Sequence, residues 1–129
     1  MATGCLKDVQ RLIKKWRRIL WIGDEWNIKA RVIDDEAEAD EDTRDVVAYI
    51  VVLPEVWSAN LTVNAWKLPE GGLEQAIVHE LTHIIMQPIA TILECGLGEK
   101  FEPVAEQHVE AITERFSRIL VDVHRRKRA

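Results

Sequence analysis

Between Trp57 and Ile85 the hydrophobic pattern changes period, and this change limits the possible folds more than any other feature of the chain. In WSANLTVNAW, the residues Trp57, Ala59, Leu61, Val63 and Ala65 alternate with Ser58, Asn60, Thr62 and Asn64. Successive side chains of a strand point to opposite faces, so this is a strand with one buried and one wet face. The wet face predicts a place at or near a sheet edge. LPEGG then breaks the strand, and Leu73, Ile77, Leu81 and Ile84 recur at helical spacing. The helix is predicted to start near Leu73 and to reach about Leu93 at most. Pro88 removes a backbone donor and is expected to kink it or end it early.

The remaining segments fit around this strand–helix unit. Leu6, Val9, Ile13, Trp16 and Leu20 lie on one side of an amphipathic helix, with Lys14, Lys15, Arg17 and Arg18 elsewhere on its surface. After Gly23 and Asp24, EWNIKARVI reads as a strand with Trp26, Ile28, Ala30 and Val32 on one face. VVAYIVVL, residues 46–53, is a short apolar run rich in β-branched residues, as expected of a strand buried on both faces. Gly96 and Gly98 predict a loop, followed by a last helix with Val109, Ile112, Phe116, Ile119, Leu120 and Val123 as its apolar stripe. The expected fold class is α+β: an N-terminal helix, a small three-stranded and mostly antiparallel sheet, then two helices.

A chain of 129 residues is expected to form one domain spanning 1–129. Residues 34–45 hold eight carboxylates against one arginine and read as a solvated, mobile acidic loop, while residues 124–129 form a basic tail. No stretch is apolar enough for a membrane span, and the N-terminus lacks the pattern of a secretory signal. Cys5 and Cys95 make no disulfide framework. The expected setting is therefore cytoplasmic and reduced, with no membrane partner. The basic residues lack interleaved aromatics or a recognised module, so a solvated charged face is expected rather than a nucleic-acid interface.

The chemistry concentrates in QAIVHELTHII, residues 75–85. At about 100° per residue, His79 and His83 lie about 40° apart and one turn above another, so both imidazoles can reach one ion. Glu80 lies further round, where it can reach a water on the metal and serve as general base. Their neighbours from Ala76 to Ile85 are uncharged, which favours a poorly solvated site. Two histidines do not hold zinc firmly, and a catalytic site needs a third protein ligand. Glu94 is too far along the same helix. The last helix offers Glu106, His108 and Glu110, any one of which an antiparallel return could bring to the ion.

HELTH followed by a glutamate on the next helix resembles the gluzincin branch of the zincin metallopeptidases. The order of elements also looks like very small single-domain phage and prophage metallopeptidase-like proteins. The resemblance covers residues 57–115. It implies one Zn2+ held by His79, His83 and Glu106, with Glu110, four residues on, hydrogen-bonding His79 to orient it. It further implies hydrolysis of peptide bonds in a peptide or protein substrate, with Glu80 as the catalytic base. No residue matches the transition-state histidine or tyrosine of the large gluzincins.

The wet face of the strand, with Asn60, Thr62 and Asn64, is where an extended substrate could add by backbone hydrogen bonds. The alternative expectation is a catalytically silent or latent zinc-binding protein whose site is closed by its own C-terminal segment.

Overall fold

The computed structural model describes residues 5–97 and 102–128. Helix α1 (Leu6–Ile19) leads into strand β1 (Asn27–Ile33), and β2 (Ala48–Leu53) and β3 (Ser58–Asn64) complete a three-stranded sheet. Helices α2 (Leu73–Leu97) and α3 (Glu102–Arg128) follow. The α+β order is the expected one. The sheet is mixed, with order β1-β3-β2, in which β2 runs antiparallel to β3 and β1 parallel to it.

β3 is therefore the central strand and not an edge. Register places Ala30, Leu61 and Ile50 in one row, flanked by the rows Ile28–Ala59–Val52 and Val32–Val63–Ala48. These rows form the inner face. They pack with Val9, Leu12, Ile13 and Trp16 of α1 and with Ile77, Val78, Leu81 and Ile84 of α2. Each such side chain taken fully out of water contributes ~1.5–3 kcal/mol, and this shared core fixes α2 across the sheet.

Strand β2 is half-exposed rather than buried on both faces, because it is an edge strand and its outer face has no covering helix. The acidic segment folds as two 3-10 turns, Glu36–Glu38 and Glu41–Thr43. It lies over the outer face of the sheet: Arg31 reaches Asp40 at 3.2 Å, and Asn64 donates to the Thr43 and Val46 carbonyls at 3.0 and 2.8 Å. Asn64 and Thr62 are buried beneath it.

At the turn into α2, Gly71 adopts φ +72°, which a side chain would strain. A Cβ at Gly72 would sit 2.6 Å from the Pro69 ring. Helix α2 then runs through Pro88 to Leu97, so Gly96 lies within the helix and not in the loop expected there. Gly98 and Ala129 fall outside the described residues. Among the described residues no helix is long and apolar enough to cross a membrane.

Candidate metal centre

α1 and α3 grip α2 near its N-terminus. Glu74 accepts from Trp16 Nε1 at 2.8 Å and Lys15 Nζ at 2.9 Å, and Arg125 Nε stands 4.0 Å from it. Going up α2, Gln75 meets Ser117, His79 meets Glu114 and His83 meets Glu110. Four residues forward on α2 correspond to about four backward on α3, as two antiparallel helices in contact require.

This register assembles the cluster. One ligand atom each from His79, His83 and Glu110 lies within 4.8 Å of the others. Glu110 Oε1 is 2.7 Å from His79 Nε2, and its Oε2 is 3.0 Å from His83 Nε2. On the far side of the first ring, Glu114 Oε2 is 2.5 Å from His79 Nδ1. Glu80 Oε2 lies 3.9 Å from His79 Nε2.

The carboxylate beside both imidazoles is thus Glu110, where Glu106 was expected. The expected contact of Glu110 with His79 is present, at Nε2, and Glu114 stands at the other ring nitrogen. Glu106 stands one turn beyond and lines a cavity of about 580 Å³ with His83, Glu110, Gln87, Gln107 and Val109. The reason is the length of α2. Because it continues two turns past Pro88, the returning helix starts later, and Glu106 comes level with Gln87 rather than with His83.

The proposed substrate strand also moves. Asn60, Thr62 and Asn64 point to the outer face of the sheet, away from α2, and β3 is paired along both sides. Nor do the described residues of the C-terminal segment close the site. Val121 joins the main core, and the His124 ring packs against Trp16 at 5.2 Å, beside the start of α2.

The electrostatics favour a cation. Burial pushes the Glu80 carboxyl up to about 8, with repulsion from Glu110 and Glu114 adding to it. Burial holds the His83 imidazole below its ordinary value against the opposing pull of Glu110. A neutral imidazole is the form that binds metal. Glu114 is held below the usual carboxylate range by Arg118, its hydrogen-bond partner, and by His79, against the opposing effect of burial. In the metal-free cluster burial and the repulsion from Glu110 and Glu114 keep a proton on Glu80 near neutral pH, and a positive charge placed among the carboxylates would relieve the repulsion.

The donor set fits zinc: two imidazole nitrogens and one carboxylate, with room for a fourth ligand, is a known catalytic combination. Ligand atoms on a tetrahedral zinc with bonds of about 2.0–2.2 Å stand about 3.3 Å apart. The contacts of 2.7 and 3.0 Å, and the 4.8 Å within which all three ligand atoms lie, bracket that spacing. The mixed sheet, the HELTH helix and the glutamate helix together make a minimal zincin-like architecture with a site able to hold a metal. Comparison with protein-family models, curated proteins and solved structures finds no match for this chain.

Proposed function

We propose that this chain is a zinc-dependent peptidase in which His79, His83 and Glu110 hold the ion. The observation that carries the reading is the meeting of these three side chains with a fourth, Glu114, at the outer nitrogen of His79. A carboxylate beside Nδ1 favours a proton on that nitrogen and leaves Nε2 to face an ion, an arrangement that a chance histidine pair does not need. When bound, zinc supplies Lewis acidity, acidifying water and polarising a peptide carbonyl.

Glu80 then acts as general base. It takes a proton from the attacking water and returns it to the leaving amine nitrogen. Burial raises its affinity for the proton, and the charge of a bound ion would favour the ionised form that accepts it. Glu114 stands beside His79 Nδ1, and Arg118 keeps Glu114 ionised. For the substrate strand we favour β2. It is an edge of the sheet, it packs against α2, and its outer backbone edge is not paired with another strand. The cavity beside His83 and Glu110 offers space for a side chain of an extended peptide.

The test is zinc content and peptide cleavage for the wild type and for Glu80→Gln. Zinc retained in both, with cleavage reduced about 10²–10⁴-fold in the variant, supports the peptidase. Zinc retained with no cleavage of unfolded substrates by the wild type contradicts it and leaves a zinc-binding protein.

A further inference from the structure

On α3 the buried face and the apolar face are different faces. Val109, Thr113, Ser117 and Val121 are buried. The small polar side chains of Thr113 and Ser117 turn their hydroxyls back onto their own helix, at the Val109 and Glu114 carbonyls. This lets α2 and α3 approach closely. The large apolar residues point outward instead: Ile112, Phe116, Ile119 and Val123 are 52, 50, 60 and 45% exposed. They form the stripe that sequence periodicity assigns to the core, and no element among the described residues covers it. Covering four large apolar side chains that now stand about half in water favours association.

The spacing indicates what covers it. Steps of four, three and four residues are the alternating a and d positions of a heptad seam, which a second helix of matching spacing completes. We propose that the occupant is α3 of a second copy of this chain, packed antiparallel. A two-fold axis near Ser117 places Phe116 beside the partner's Ile119 and Ile112 beside the partner's Val123. Arg115 and Asp122 flank the same side of the seam. In the antiparallel pair each Arg115 faces the partner's Asp122, so the complementary contact is made twice. In a parallel pair the two copies of Arg115 and Asp122 would fall on opposite sides of the seam, with Arg115 beside the partner's Leu120, and the complementary contact would be lost. Asp122 now pairs with Arg126 four residues on, at 3.0 Å and largely in solvent, and exchanging such a partner costs little.

Glu110 and Glu114 lie on the other side of α3, so the dimer leaves the metal cluster open. The proposal does not depend on the peptidase reading.

Sedimentation velocity of the full chain over a wide concentration range tests it. The mass should rise from the 14.8 kDa of one chain towards twice that value. Phe116→Glu with Ile119→Glu should hold the chain monomeric with its helical circular dichroism unchanged, since both positions are exposed. Arg115→Asp and Asp122→Arg should each weaken association about tenfold or more, and the two together should restore it. A chain that stays monomeric throughout overturns the proposal. So does a double reversal that associates no better than either single one.

Discussion

His79 carries the most information of any residue in the site, because both ring nitrogens have a carboxylate partner, Glu110 at Nε2 and Glu114 at Nδ1. Removing the ligand should cost far more than removing its orienter. Glu110→Ala is expected to abolish stable zinc binding, and Glu114→Gln to weaken it about 10–100-fold, while Glu106→Ala leaves it nearly unchanged. Zinc titration against a competing chelator measures all three. Glu80 gives a second residue-scale prediction, for the metal-free protein. Its carboxyl ionises near 8 in the fold against an ordinary 4.5, so between these values the native state binds more protons than the unfolded chain. Metal-free stability should therefore fall as pH rises from 4.5 towards 8, and Glu80→Gln should flatten that slope. Urea unfolding of the chelated protein across this range reads it directly.

At the scale of elements, the Glu74 clamp holds α1, α2 and α3 together. Trp16 is fully buried and gives its indole proton to Glu74, so Glu74→Ala should destabilise the fold by about 1–3 kcal/mol, leaving that donor unpaired. Burial raises the Glu74 carboxyl, but its bonds to Trp16 and Lys15 and the charge of Arg125 outweigh this and lower it. The clamp's contribution is thus present above pH 4.5 and is lost as pH falls through the lower folded value. Chemical denaturation of the variant at neutral and acid pH checks both statements.

The same scale shows what a linear pattern can and cannot reveal. The strand at 58–64 and the helix from Leu73 are legible, because periods of two and 3.6 are properties of neighbouring residues. The central place of β3 is not, since Asn64 and Thr62 are polar yet are buried by a segment some twenty residues earlier. Which carboxylate meets the two histidines is also ambiguous in one dimension. Glu106, Glu110 and Glu114 stand one turn apart, and the one that comes level with His83 depends on where α2 stops. Helical continuity through Pro88 and Gly96 brings Glu110 there, and both residues argue for an earlier end. The apolar stripe of α3 was legible as a stripe, but its direction was not, because Thr113 and Ser117 pack α2 more closely than Ile and Phe could.

For the whole molecule, folding and metal binding are linked. The cluster joins two helices that share a core with the sheet, so an ion bound there favours the folded chain by mass action. At a free zinc concentration a hundredfold above the dissociation constant, the gain is about 2.7 kcal/mol. Zinc should raise the melting temperature and a chelator should lower it, and Glu110→Ala should abolish the difference. The most direct measurement of the central claim is the metal content of the metal-supplied chain, determined by mass spectrometry under native conditions for the wild type and Glu110→Ala. The predicted result is one zinc per wild-type chain and none on the variant. A wild-type chain that takes up no zinc, or a variant that holds it as firmly, would contradict the assignment of His79, His83 and Glu110 as a metal centre.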